Sequence, residues 1–347
     1  MKKKLFTILV LCAGAIAWMQ VNSCKKKDIK TGPTAVAFTT PPGFPAPPFN
    51  FTNNPLTQEA ISLGRRLFYD GQLSKDGNFP CSSCHQQFAA FATFDHDLSH
   101  GFNNQFTTRN SPGIFNLAWH TELHWDGGIN HLELQPLAPI TAPNEMAEDI
   151  GTVINKLKAD SKYPAQFKAA FGTEEINSQR MLKALAQFMV TMVSANSKYD
   201  KVRNGQGSFT STEQAGYTIF QNKCAACHKE PLLTDLSYRN NGMNLHPFLL
   251  DYGRMRITNK KEDSLKFKVP SLRNVMLTFP YMHDGRFYSI DQVLNHYATG
   301  IISSPTLDPL LANKIVLTTP ERTQLKAFLT TLTDSVFIAD KRFAQPQ

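Results

Sequence analysis

Cys81-Ser82-Ser83-Cys84-His85 and Cys224-Ala225-Ala226-Cys227-His228 are two copies of one pattern, set in opposite halves of a 347-residue chain. The spacing Cys-x-x-Cys-His is the attachment signature of a c-type haem. Each cysteine sulfur forms a thioether with a haem vinyl group, and the His beside it becomes an axial ligand of the iron. Two copies imply two covalently held c-type haems, and with them electron transfer or peroxide chemistry. The alternatives are a redox dithiol and a zinc site. A redox dithiol needs no following His, and a zinc ribbon sets its Cys-x-x-Cys units much closer together.

Six cysteines are present: Cys12, Cys24 and the four in the motifs. No pair is left for a disulfide framework. Met1-Lys2-Lys3-Lys4 and the apolar stretch from Leu5 to Trp18 read as a signal peptide, too short and wrongly flanked for a spanning helix. It ends Val21-Asn22-Ser23-Cys24, which resembles a bacterial lipobox. Cleavage there makes 1–23 the signal and Cys24 a lipidated first residue; the alternative is an ordinary signal peptide with Cys24 incidental. Either reading puts the protein in the periplasm, where c-type haems are attached. The lipid reading adds a membrane anchor at the N-terminus.

Of the formal charge of +8, three units are Lys2, Lys3 and Lys4, and residues 25–47 carry a net +3, which leaves +2 on the body from Pro48 onward. That is no nucleic-acid footprint, which needs basic residues clustered on the folded domain. Residues 24–50 include Thr40-Pro41-Pro42-Gly43-Phe44-Pro45-Ala46-Pro47-Pro48 and read as a flexible tether.

The remainder divides into an N-terminal haem domain, 51–205, and a C-terminal one, 206–340. A short echo suggests duplication: Gly64-Arg65-Arg66-Leu67-Phe68 precedes the first motif and Gly216-Tyr217-Thr218-Ile219-Phe220 the second. Each sits on a helical stretch with a start signal, Thr57 for one and the capping box from Thr210 to Glu213 for the other. Residues 178–194 place Met181, Leu182, Leu185, Phe188, Met189, Met192 and Val193 at helical spacing. These methionines read as core rather than as iron ligands. A last helix is expected from Thr319 as N-cap with Pro320 at its first position. Residues 86–145 and 229–300 are loop-rich, which suits chain wrapped over haem faces. The fold class is mainly α.

These stretches resemble the bacterial dihaem cytochrome c peroxidases, a family that includes the methylamine-utilisation oxidase MauG. The likeness runs from Pro55 to Ala339 and is carried by LGRRLFYD (63–70), LSHG (98–101), RNSPGIFN (109–116), WDGG (125–128), LELQPLAPITAPNEM (132–146), DYGRMRIT (251–258), KFKVPSLRNVMLTFPYMHDGRF (266–287) and LNHYATG (294–300), besides the two haem motifs. The resemblance implies two cytochrome-c-like domains with long loops and a haem site near their interface. His85 and His228 become the proximal ligands. His100 takes the place of the distal ligand that closes the first iron at rest, with His96 its rival. Glu145 matches the acid–base residue that takes a proton from one peroxide oxygen and returns it to the other. Gln135 is the hydrogen-bond donor beside it. Trp125 matches the tryptophan between the haems, where an aromatic ring relays electrons. The family commonly carries Arg where this chain has Gly128, which puts the hydrogen bonding around Trp125 in question. Asn110, Thr278 and Pro280 fall where the family supplies oxygen ligands to an interdomain calcium ion.

The second haem departs from the peroxidase pattern. Where most relatives place a methionine ligand, this chain has Tyr297, as MauG does; Met276 and Met282 are rivals nearby. A phenolate donates more electron density than a thioether and lowers the reduction potential. The resemblance thus implies an oxidoreductase, a cytochrome-c peroxidase reducing hydrogen peroxide to water with electrons from a small cytochrome c or cupredoxin. A second reading is a MauG-like oxidase of a protein substrate, favoured by Tyr297 and opposed by a ligand at His100. A third is a dihaem electron carrier without catalysis, opposed by Glu145 and Gln135. A homodimer is compatible with all three.

Overall fold

The computed structural model describes residues 32–347. The signal peptide, Cys12 and Cys24 lie outside the described residues. The principal helices are α1 (Gln58–Phe68), α2 (Ile150–Ala159), α3 (Tyr163–Phe171), α4 (Ser178–Val190), α5 (Lys198–Arg203), α6 (Ser211–Lys223), α7 (Ile290–Asn295), α8 (Thr319–Thr330) and α9 (Ser335–Ala339). The one sheet among the described residues is a two-stranded antiparallel ribbon, β1 (Tyr238–Arg239) with β2 (Phe267–Lys268), in the register Tyr238 to Lys268. The fold is mainly helical, as the sequence implies.

Helix starts follow side-chain chemistry. Thr57 caps α1 by accepting from the Ala60 N–H, and Thr210 with Glu213 forms a reciprocal capping box on α6. The helix expected to be last is α8; the short α9 follows it, and α8 starts one residue earlier than expected. Thr318, not Thr319, is the N-cap, because its hydroxyl takes the Glu321 N–H while Glu321 reaches back to it.

The echo before each haem motif is a helix crossing. A Cβ on Gly64 of α1 would lie 1.9 Å from the Ala184 carbonyl oxygen of α4, and one on Gly216 of α6 would lie 1.9 Å from the Gln324 oxygen of α8. The same added Cβ would lie 2.9 Å from a phenylalanine Cβ, that of Phe188 in one pair and Phe328 in the other. Only a residue without Cβ lets the backbones approach so closely. Each pair anchors its own core. The first gathers Leu63, Leu67, Phe68, Leu185 and Phe188, and the second gathers Phe220, Leu325, Phe328 and Leu332. The chain crosses between them at both ends of the second half: Tyr199 packs in the second core, whereas Phe337 and Phe343 return to the first.

A longer repeat lies in the loops. Residues 109–129 and 267–287 run in step at one constant offset, with Pro112 matching Pro270, Asn116 matching Asn274, and Leu123-His124-Trp125-Asp126-Gly127 matching Tyr281-Met282-His283-Asp284-Gly285. The backbone repeats too. Asn116 and Asn274 are left-handed at φ 56 and 58, His124 and Met282 at 65 and 76, and Gly127 and Gly285 at 74 and 69. Each loop closes with one antiparallel bridge, Leu123 to Ile129 and Tyr281 to Phe287. The Asn116 N–H donates to the Met192 oxygen after α4, and the Asn274 N–H donates to the Leu332 oxygen after α8.

The halves meet through reciprocal main-chain bonds. The Asn110 N–H donates to the His283 oxygen at 2.8 Å, and the matching Lys268 N–H donates to the Trp125 oxygen at 2.7 Å. Ser194 and Asp334, which receive the side chains of the two matched asparagines, bond each other at 3.1 Å. This is the pattern of an isologous, pseudo-twofold contact.

The expectation of a loose tether over 24–50 is corrected for its described part. Ala35 pairs with Thr57 in a β-bridge, and Phe38, Phe44, Phe49 and Phe51 pack against the first core. The Trp119 indole N–H donates to the Pro45 oxygen at 2.8 Å. Four partly buried aromatic rings outweigh the solvated, extended preference of the prolines around them.

Candidate functional site

The four motif cysteines are unpaired thiols. Burial pushes Cys81 and Cys224 up to about 12, each aided by its neighbouring thiol. A redox dithiol needs the opposite shift. Among the described residues no group of three or more His, Cys, Asp and Glu could hold a metal ion.

The two proximal histidines are built alike. His85 Nδ1 lies 2.8 Å from the Phe91 oxygen, and His228 Nδ1 lies 3.1 Å from the Pro270 oxygen and 3.3 Å from that of Leu233. An Nδ1–H committed to a carbonyl leaves the Nε2 lone pair free for iron. Burial lowers both, His85 to about 4, so both rings are neutral at pH 7. A cavity walled largely by apolar side chains, among them Leu294, Leu325 and Leu329, brings Cys224, Cys227, His228 and Tyr297 together. Thiols, free ring nitrogens and apolar walls fit haem at these positions.

Around the first motif, Glu145 is mostly buried. Burial raises its carboxyl above the ordinary range, and Cys84 is close enough to feel its charge. Its loop is tied to that of His100: the Phe102 N–H donates to the Glu145 oxygen at 2.7 Å, and the Asn144 side chain donates to the Phe106 oxygen at 2.9 Å. A Cβ on Gly101 would sit 2.6 Å from the Glu145 Cα. His100 itself is held by Asn104, Nδ1 to Oδ1 at 2.6 Å, with the His96 ring 5.4 Å away. Gln135 does not bond Glu145. Its amide nitrogen is 3.4 Å from His124 Nε2.

Trp125 lines the interior cavity and donates its indole N–H to the Asn110 oxygen at 2.9 Å. The arginine that Gly128 lacks is replaced from elsewhere. Arg109 reaches Asp126 at 2.6 Å, and Arg254 donates to the Asp126 main-chain oxygen at 3.0 Å. In the matching loop Arg286 does follow Gly285, and it pairs with Asp284. A Cβ at Gly128 would meet Ile257 Cδ1 at 3.0 Å, so that side is already filled.

Tyr297 lies in a π-helical turn after α7, a geometry frequent at functional sites. Burial pushes its phenol up to about 12, against a hydrogen bond from Asn241, and both Cys224 and Cys227 are near enough to act on it. Met282 also faces the cavity, its sulfur 3.4 Å from the Asn241 amide, whereas Met276 packs on the second core. Asn110, Thr278 and Pro280 border the same cavity, and the Asn110 side chain donates to the Asp97 oxygen at 3.0 Å.

The family model for di-haem cytochrome c peroxidase matches residues 58–208. The methylamine utilization protein MauG of Methylorubrum extorquens is 34% identical over 93% of this chain and 92% of its own. Cytochrome c551 peroxidase of Nitrosomonas europaea is 34% identical over 69% of this chain and 73% of its own. A solved MauG-like protein associated with microbial copper homeostasis superposes with a TM-score of 0.81 at 34% identity, covering 90% of this chain and 99% of that one.

The chain belongs to the dihaem cytochrome c peroxidase family. It is an oxidoreductase with two c-type haems.

Two cavity residues of this dihaem protein escaped the sequence reading, His120 and His124. Burial lowers both imidazoles, His120 to about 3. The signal that could have found His124 was its match to Met282 in the repeat.

The halves are also clamped by charge. Arg109 binds Asp251 through two nitrogens, at 2.6 and 2.9 Å, besides Asp126. Burial raises the Asp251 carboxyl, but the hydrogen bonds and charge of Arg109 override it and hold the group below its ordinary value. A depressed carboxylate stabilises the fold above its unfolded pKa, roughly 3.9, and that stability is lost as pH falls through the folded value. Arg109→Ala leaves Asp251, 3% exposed, without its main partner. It should cost about 3–5 kcal/mol at pH 7, read by urea unfolding, and flatten the acid limb of the stability–pH curve. Wild-type stability in the variant would show that the clamp is dispensable.

Proposed function

We propose that this protein reduces hydrogen peroxide to two waters, using two protons and two electrons from a small cytochrome c or cupredoxin. The observation that carries this is Glu145: a buried carboxyl beside Cys84 with no hydrogen-bond partner for its side chain among the described residues. An electron carrier has no use for such a group. When bound, the haem on His85 supplies the iron that cleaves the peroxide bond, and the haem on His228 supplies the electron store.

The chain's own residues do the rest. Glu145 takes a proton from the near peroxide oxygen and returns it to the leaving oxygen; its raised pKa suits the acid half of that task. Gln135 donates a hydrogen bond to the bound peroxide. His100 closes the first iron at rest. Trp125 offers an aromatic path between the halves. Tyr297 binds the second iron. The halves act as two cytochrome-c-like domains, about 51–205 and 206–340, with the site near their interface. Asn110, Thr278 and Pro280 offer oxygen atoms to a calcium ion there, and two copies of the chain pair as a homodimer. A MauG-like oxidase of a protein substrate is the second reading, favoured by the partly buried Tyr297.

Glu145→Gln keeps the shape and removes the base. Peroxide turnover should fall about 10²–10⁴-fold while a pyridine haemochrome assay still finds both haems. Unchanged turnover assigns the proton transfers elsewhere.

The two distal ligands are read separately. Tyr297→Phe should change the absorption and EPR spectra of the second haem; an unchanged, methionine-type spectrum returns that ligand to Met282. His100→Gly should make the fully oxidised protein bind cyanide quickly, where the parent needs one electron first. Fast binding in the parent would remove the His100 gate and favour the oxidase.

Export to the periplasm and a lipid on Cys24 complete the proposal. Mass spectrometry of native protein should find a lipidated N-terminal Cys24, and a mature terminus downstream of it would refute the anchor.

A further inference from the structure

The repeat of 109–129 in 267–287 sets His124 at the position of Met282. Both residues stand at left-handed φ, 65 and 76, directly before the paired residues Trp125 and His283. Both side chains line the interior cavity, and each is met by one carboxamide nitrogen at 3.4 Å, Gln135 for His124 and Asn241 for Met282. In the second half, Met282 and Tyr297 share Asn241 and line one cavity with Cys224, Cys227 and His228. Gln135 lies outside the repeat and is tied to it through its contact with His124. His124 is also close enough to His85 for the two rings to interact electrostatically.

We propose that His124 is a positioning residue for the peroxide reaction: its Nε2 accepts from the Gln135 amide and so fixes which face of that amide is presented to the peroxide. The inference rests on the reading of Gln135 as the peroxide's hydrogen-bond donor. A carboxamide on a free side chain turns over readily and would offer peroxide its oxygen as often as its nitrogen. One N–H bound to His124 fixes the amide plane and leaves the second N–H to donate. The arrangement requires an unprotonated Nε2. Burial provides it, with Arg109 and Lys268 opposing protonation and Asp126 favouring it. The left-handed backbone at His124 turns the ring inward while Trp125 keeps its own contact with Asn110. Histidine is one of the few residue types that adopt this conformation at modest cost.

The test is a double-mutant cycle on the dihaem protein with His124→Phe, His124→Gln and Gln135→Leu. It is read as kcat/KM for peroxide and, independently of turnover, as cyanide affinity at the first haem by absorption titration. His124→Phe and Gln135→Leu should each lower both readouts about two- to tenfold, the worth of one hydrogen bond. The double variant should be no worse than Gln135→Leu alone, because both remove one unit. His124→Gln, whose Oε1 can replace Nε2 as acceptor, should restore most of the loss. Additive losses overturn the proposal, since His124 then acts without Gln135. A Gln135→Leu loss with His124→Phe at parental level also overturns it but leaves the peroxide reading intact. Parental values in all the variants overturn both it and the assignment of Gln135.

Discussion

Two main-chain hydrogen bonds fix the relation between the halves, and most of the chemistry depends on them. Asn110 donates to His283, and its counterpart Lys268 donates to Trp125. A bond from one half to the carbonyl of the interface residue in the other sets both depth and orientation. Trp125 is held three ways: by Lys268 at its carbonyl, by Asn110 at its indole nitrogen, and by Arg109 and Arg254 at the residue that follows. The electron path proposed for Trp125 would need such fixation, since transfer is steeply sensitive to placement. The ionic clamp from Arg109 to Asp251 lies beside these bonds and removes a further degree of freedom between the halves.

The repeat shows where the two halves have been made different. Frame positions are kept: the prolines at 112 and 270, the left-handed asparagines at 116 and 274, and the glycines at 127 and 285. Of these, the prolines touch the motif histidines directly: His228 Nδ1 lies 3.1 Å from the Pro270 oxygen. The differences sit where chemistry is done. The Trp125 indole N–H donates to the Asn110 oxygen, whereas the ring of its counterpart in the repeat, His283, stacks on Phe267 at 3.6 Å. Arg286 supplies in the second loop the charge that Gly128 cannot supply in the first, and Arg109 and Arg254 take over that task. One half is thus free to hold a proton-handling carboxyl, and the other a partly buried phenol.

Local chemistry was legible in the sequence, and long-range chemistry was not. The caps at Thr57 and Thr210 and the glycines that precede each Cys-x-x-Cys-His motif depend on neighbours within one turn or on one residue type, and the structure bears them out. The Thr318 cap was missed by one residue because Thr318 and Thr319 are chemically equivalent, and only the reach of Glu321 decides between them. The docking of residues 34–51 was hidden because proline content argues for extension, while the partners of Phe38 and Phe44 lie far along the chain. Gln135 was recognised, but its bond to His124 was not, since nothing in a linear string aims one side chain at another across a loop.

The second haem position illustrates how one polar residue can bias a choice between two ligands. Asn241 is within reach of both Met282 and Tyr297. Its amide nitrogen approaches the Met282 sulfur, which engages the soft lone pair that an iron would need. Tyr297 is partly buried, and the desolvation it meets pushes its phenol pKa up. A ferric centre opposes that shift, and a coordinating phenol would give up its proton there as metal-bound water does. The hydrogen bond from Asn241 lowers the phenol pKa and so works in the same direction. Sulfur engaged by an amide on one side and a phenol eased toward ionisation on the other are both consistent with the proposed oxygen ligand. That bias would come from the reach of Asn241, not from the identity of the rival ligands alone.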